Sequence, residues 1–319
     1  MKSLMRKRLS ATLVVLSIFT SGFLVTQVVY GGNSVTSTVT VSTATPTITS
    51  VNINGSNPAT ITLITSSTVA VNVEATISDN NGCSEVTPGT TTILLYRSGV
   101  TSSSCLTNTG AASTNLNCYL ATAFTASSTC SSGSQNTTTT FNVQYFAQAT
   151  DASSSFPSQN WMATVYFKTL DTTTSSADST SASTTNDIAT LTALNVTTSS
   201  INYGAIAASS TTGAVNQTTT VVNAGNSSTT LQLSAASTLT NGANSIATSS
   251  QGYLVSGFTY PGSSVGLTGS PVTVTGATLT APTSTNNVLV PIFWGLGVPN
   301  STPTGTYNGT NQFTAVFSG

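Results

Sequence analysis

Glu74, Asp79, Asn80, Asn81 and Glu85 fall within twelve residues, and oxygen donors at that density suit calcium, which takes six to eight from carboxylates, amides and backbone carbonyls. Asp151, on a later Ala-Thr-Asp turn, would join them if the fold carried both turns to one end. Glu74, Asp79, Asn81 and Asp151 are therefore the candidate metal ligands. The plainer reading of the same residues is local, because Asp and Asn before Gly close turns through their own hydrogen bonds. No D-x-D-x-D-G loop favours the metal. Read as acid and base, Glu74 with Asp79 or Glu85 with Asp151 would have the residue types for glycoside hydrolysis, but nothing marks a cleft around them. Trp161, Trp294, Tyr253 and Tyr260 would make a sugar-stacking platform if exposed, although a Trp in a sandwich strand is more often core. No catalytic residue is assigned, no enzyme is expected, and calcium is the one candidate cofactor.

The four cysteines, Cys83, Cys105, Cys118 and Cys130, lie in one 48-residue window. An even number in an exported chain suggests disulfides. Three pairings are open; the favoured one joins Cys105 to Cys118, closing a loop, and Cys83 to Cys130, tying that loop to an earlier turn. There is no C-x-x-C spacing and the chain has no histidine, so a zinc or redox site is disfavoured. A Ser-His-Asp triad is excluded outright.

Charge narrows function further. Only 4% of the 319 residues are charged, against about a quarter in an ordinary protein. Lys2, Arg6, Lys7 and Arg8 crowd the amino terminus, leaving Arg97 and Lys168 as the cations beyond it. Two cations cannot replace the counterions along a phosphate backbone, so nucleic acid is excluded as a partner. The basic start followed by Leu9 to Tyr30, uncharged and mostly apolar, reads as an export address. Residues 1–32 are thus a signal peptide or an N-terminal membrane anchor, the latter because about 20 apolar residues also span a bilayer. A type IV pilin leader would need a Gly just after the basic run and an acid soon beyond it, and the chain has neither. The expected location is extracellular or cell-surface, with the membrane touched only through that segment.

Roughly a third of the chain is Ser or Thr, a bias compatible with disorder or with β-structure. Short alternating runs of Val, Ile, Leu, Phe and Tyr decide for strands. Asp171 to Asp187 has no side chain larger than Ala among its apolar residues and reads as a linker. It divides an all-β chain into 33–170 and 188–319, each the size of one sandwich. In the first, strands are expected at Val35 to Ser42, Thr47 to Ile53, Thr60 to Thr65, Val69 to Ile77, Thr91 to Arg97, Thr139 to Thr150 and Trp161 to Thr169, with Gly99 to Thr138 as a disulfide-held insertion. In the second they are expected at Leu191 to Thr197, Ser200 to Tyr203, Thr218 to Val222, Thr230 to Leu233, Tyr253 to Phe258, Val272 to Leu279, Asn287 to Trp294 and Phe313 to Phe317.

At Ala75-Thr-Ile-Ser-Asp79-Asn80-Asn81-Gly82, Leu95-Tyr96-Arg97 and Tyr145-Phe-Ala-Gln-Ala-Thr150-Asp151 the first unit resembles bacterial immunoglobulin-like domains. The second, at Leu191 to Asn195, Ile201 to Gly204, Val222-Asn223-Ala-Gly225-Asn226, Phe293 to Pro299 and Thr304 to Thr310, is similar to repeats in exported bacterial proteins. The resemblance implies two immunoglobulin-like β-sandwich domains in tandem on a surface or secreted protein, and it transfers no enzymatic activity. The expected role is structural or adhesive: a spacer, envelope component or binding module whose partners are other cell-surface proteins or glycans. The alternatives are a pilus-like filament subunit assembled by strand donation, hence a homo-oligomer, or a carbohydrate-binding or hydrolytic protein.

Three smaller readings complete the survey. Asn-x-Ser/Thr sequons at Asn54, Asn136, Asn195, Asn216, Asn226, Asn300 and Asn308 are candidate glycosylation sites. Lys168 is a candidate for an intramolecular isopeptide with an Asn. Val35 to Ser42 (VTSTVTVS) is expected to be the first strand of its own domain, with donation to a neighbouring subunit as the other use of an alternating segment. Seven carboxylates and no imidazole predict folding nearly insensitive to pH between about 3 and 8.

Overall fold

The computed structural model describes residues 35–42, 44–56, 58–83, 91–168, 174–178 and 186–319. The expected signal or anchor, Glu85 and part of the expected linker lie outside them. Two compact units are present, Met1–Ser42 and Thr43–Gly319. Within the first unit, Val35 to Ser42 forms no strand, and Val35, Val39 and Val41 are 86%, 84% and 75% exposed. The expected first strand of the domain is therefore corrected: alternation fits a strand, but a strand also needs a ladder partner.

Thr43–Gly319 is nearly all β. Its strands are β1 (Thr47–Ile53), β2 (Thr60–Ile61), β3 (Thr68–Ser78), β4 (Thr91–Arg97), β5 (Cys118–Ala121), β6 (Ala126–Ser127), β7 (Ser134–Gln144), β8 (Trp161–Lys168), β9 (Thr174–Asp178) and β10 (Asp187–Ile188). They continue as β11 (Leu194–Val196), β12 (Gln217–Asn223), β13 (Thr229–Ala235), β14 (Leu239–Asn241), β15 (Asn244–Ile246), β16 (Gln251–Leu254), β17 (Val265–Gly266), β18 (Val272–Leu279), β19 (Leu289–Leu296) and β20 (Asn311–Phe317). Among the described residues a short α-helix, α1 (Ser102–Thr107), and a 3-10 turn at Thr248–Ser250 interrupt them.

Two cores organise these strands. In the first half one sheet runs β1-β3-β7-β6 and the other β5-β4-β8-β9. Alternation along β3 turns Val71, Val73, Ala75 and Ile77 inward, where they meet Ile93, Leu95, Trp161, Val165 and Phe167 of the other sheet. In the second half the sheets run β11-β12-β19-β16-β17 and β18-β13-β20. Val221 and Leu231, Leu233 with Tyr253, Ile292 and Trp294 fill the space between them.

The disulfide region follows from β4. Its Ile-Leu-Leu-Tyr run is apolar on both faces, so Leu94 and Tyr96 need cover on the outer side. Cys105 of α1 and Cys118 of β5 supply that cover, bonded to each other, while Cys83 is bonded to Cys130. Thr101 caps α1, its hydroxyl accepting from the Ser104 N–H at 3.1 Å. The expected insertion is therefore partly a sheet, since β5 pairs with β4. The expected linker is partly strand as well: β9 pairs along β8, and β10 pairs in parallel with β2. Backbone hydrogen bonding needs no apolar side chain, which is why composition hides an edge strand.

Candidate functional site

The β3–β7 register separates the carboxylates. Ser78 is opposite Ser134 and Thr68 opposite Gln144, so Asp79 follows one end of the ladder and Asp151 lies beyond the other, roughly 30 Å away along the strands. Asp79 is buried; its Oδ1 accepts from the Asn81 N–H at 2.8 Å, closing the turn. Asn81 Oδ1 accepts in turn from the Ala44 N–H. Glu74 falls on the opposite, outward parity of β3 from Asp79. The candidate calcium ligands are thus not gathered by this fold, nor is Glu74 paired with Asp79 as acid and base. Among the described residues no group of three His, Cys, Asp or Glu is placed to hold a metal.

Asp151 instead joins the two halves. Its Oδ2 accepts from the Thr190 N–H at 2.7 Å and its Oδ1 from the Thr190 hydroxyl at 2.5 Å. Asn226, a candidate glycosylation site, is corrected by the same joint. It is 7% exposed; its Oδ1 accepts from the Leu191 N–H at 2.7 Å, and its Nδ2 donates to the carbonyls of Ala147 at 3.0 Å and Ala189 at 3.1 Å. An amide with both ends engaged in the interior has no room for a glycan. Ser66 N–H adds a bond to the Ala224 carbonyl at 3.1 Å. Gly225 permits this approach, because a Cβ there would lie 2.0 Å from the Leu191 carbonyl oxygen. The signal for the joint was the Asn223-Ala-Gly-Asn226 turn, which reads equally as an ordinary bend.

The other sequons fare differently. Asn54, Asn136, Asn195, Asn300 and Asn308 are exposed, and Asn216 is half-buried with its Oδ1 accepting from the Phe258 N–H at 2.9 Å. The aromatic platform is corrected too. Trp161 and Trp294 are fully buried, each with its indole N–H at 2.9 Å from an acceptor, the Gln148 carbonyl and the Thr219 hydroxyl respectively. Tyr253 is core, and Tyr260 lies flat over Gly252, Gly295 and Gly297 with its hydroxyl on the Ser250 carbonyl. The Lys168 side chain is outside the described residues.

Sequence reasoning missed an open groove of about 1270 Å³ in the second half. Ile201, Tyr203 and Ile206 of an unpaired extended segment form one wall and Asn311 and Phe313 of β20 another, with Gln251 and Leu296 at the floor. Tyr203 donates to Gln251 Oε1 at 3.1 Å, and Asn311 Nδ2 donates to the same oxygen at 3.1 Å. Ser200 to Tyr203, expected as a strand, is not one, although its apolar residues still point inward.

The sequence matches no protein-family model and no curated protein. Similar solved structures include the CsuC-CsuE chaperone-tip adhesion subunit pre-assembly complex from archaic chaperone-usher Csu pili of Acinetobacter baumannii, at 11% identity and TM-score 0.34 over 84% of this chain and 100% of that one. Dimeric latent PorU from Porphyromonas gingivalis is similar at 12% identity and TM-score 0.26, over 89% of this chain and 21% of that one. The C-terminal domain of the AgI/II polypeptide BspA of Streptococcus agalactiae is similar at 10% identity and TM-score 0.22, over 86% of this chain and 96% of that one.

Proposed function

We propose that this chain is a non-enzymatic, exported structural protein of the cell surface, built from two immunoglobulin-like sandwiches and acting as a spacer or envelope component. The observation that carries the reading is the joint. A spacer must hold its length without a hinge, and three contacts tie the halves, Asp151 to Thr190, Asn226 to Ala147 and Ser66 to Ala224, with Asn226 braced on Leu191 and Ala189 of its own half. The first-half sheet orders match the A-B-E-D and C′-C-F-G orders of an immunoglobulin sandwich when β1, β3, β7, β6 and β5, β4, β8, β9 take those places. Two disulfides fit folding in an oxidising, extracytoplasmic compartment.

Fractionation and electron microscopy of the native cell test the proposal. The expected result is a surface-attached or polymerised protein. Recovery as a soluble cytoplasmic species, or turnover of a glycan by the purified protein, would refute it. A filament subunit is the structural role that a specific observation favours: Val35, Val39 and Val41 of an alternating segment stand in solvent.

A further inference from the structure

We infer that Val35 to Val41 of one copy adds as a strand to the outer edge of β20 in a second copy, an inference resting on the proposed structural role and naming its partner. The two halves differ at one edge. In the first, β8 is flanked by β4 on one side and β9 on the other; in the second, β20 occupies the equivalent place beside β13 and, among the described residues, ends its sheet. The groove meets this edge at the Asn311–Phe313 end of β20, where Phe313, Tyr203 and Ile201 are half-buried. These are apolar side chains that one further strand would cover.

The donor fits that vacancy in pattern and length. Val35, Val39 and Val41 share one parity with small Ser37 between them, so one face would enter the groove and the Thr and Ser face would stay in water. Seven residues extend over about 23 Å, enough to cover the seven of β20. Strand addition supplies the main-chain hydrogen bonds, and alternate side chains supply the fit.

Chain length argues for a second copy. Ala44 is held by Asn81, and Thr47 is paired with Ser78, at the end of β3 away from the joint. The groove lies at the Gln217–Thr219 and Asn311–Phe313 ends of β12 and β20, also away from the joint. The path along β3 and then β12 is roughly 50 Å. Val39, five residues before Ala44, reaches at most about 18 Å from it. Donor and acceptor are different surfaces, so each contact leaves one of each free and the assembly is a head-to-tail chain.

The test uses the exported chain with its native disulfides. T38C and Q312C proteins, both on the water-facing side, purified separately and mixed under mild oxidation, are expected to give a covalent dimer absent from either alone. The T38C/Q312C double variant is expected to give a ladder. An internally cross-linked monomer from the double variant, or no cross-link in the mixture, would overturn the inference. V39D/V41D is expected to abolish higher oligomers in light scattering with an unchanged thermal midpoint, since both side chains are exposed in the free chain. Oligomers that persist in that variant would overturn strand addition while leaving the structural role standing; a soluble cytoplasmic protein would end both.

Discussion

The side-chain amide of Asn226 reaches from the second half of the molecule to the carbonyl of Ala147 in the first, at 3.0 Å. With the bonds to Ala189 and Leu191 in its own half, both polar atoms of this buried side chain are engaged at the joint. Asn226→Ala would strip partners from a buried N–H and two carbonyls, a loss of about 2–4 kcal/mol. Asn226→Asp is expected to be worse, because it aims a carboxylate at two carbonyl oxygens. Calorimetry checks this: one unfolding transition in the parent should split or fall in the variants, and an unchanged trace would count against a rigid joint.

Tyr260 and its glycines form a second coupled unit. A Cβ at Gly295 or Gly297 would lie 2.9 Å from the Tyr260 side chain, and the Tyr260 hydroxyl donates to Ser250 at 2.8 Å. Gly297→Ala is expected to destabilise by about 1–3 kcal/mol through overpacking. Tyr260→Ala removes the obstacle, so the double variant should cost less than the sum of the singles. A double-mutant cycle with additive free energies would contradict the contact.

The two disulfides close loops of different size, with separations of 47 residues for Cys83–Cys130 and 13 for Cys105–Cys118. Loop entropy predicts losses of about 4 and about 3 kcal/mol on replacement by Ser pairs. Cys105 and Cys118 are also buried over β4, which adds a desolvation cost to Ser at those sites. Denaturant titration of the two double variants measures both terms.

Alkaline pH is where stability should fail. Burial pushes the Tyr119 hydroxyl far above the usual phenol range, partly offset by the N–H of Gln144, and Tyr203 is raised by burial and by Tyr260. Tyr145, Tyr253 and Tyr260 are raised by burial as well. Above about pH 10 the unfolded chain releases these protons and the folded one keeps them, so stability falls with rising pH, by about 1.4 kcal/mol per pH unit for a tyrosine as buried as Tyr119. Below about pH 9 both states hold the protons and the effect vanishes. Unfolding midpoints measured from pH 8 to 12 should show a plateau and then a descent that Tyr119→Phe makes shallower.

Strands announced by short β-branched and apolar runs between turns were readable without coordinates: Thr47–Ile53, Thr91–Arg97 and Val272–Leu279 begin and end where their residues predict. Elements defined by their partners were not. β9 is all small or polar residues and exists through the edge of β8, whereas Ser200 to Tyr203 has strand-like alternation and no partner. The same distinction governs the polar residues. Asp79 closes the turn its neighbours suggest, but the roles of Asp151 and Asn226 depend on Thr190, Leu191 and Ala147, up to 79 residues away. Local spacing carries no record of that meeting.

Arg97 is 6% exposed, and its guanidinium donates to Gln148 Oε1 at 2.8 Å and to Gln159 while stacking 3.9 Å over the Phe156 ring. Interior cations are usually met by carboxylates, and acid dissolves such pairs by protonating the anion. Amide oxygens and an aromatic face do not titrate. This interior cation is thus bound by groups that acid cannot switch off, a form of shelter that would serve a protein displayed where no cell buffers its surroundings.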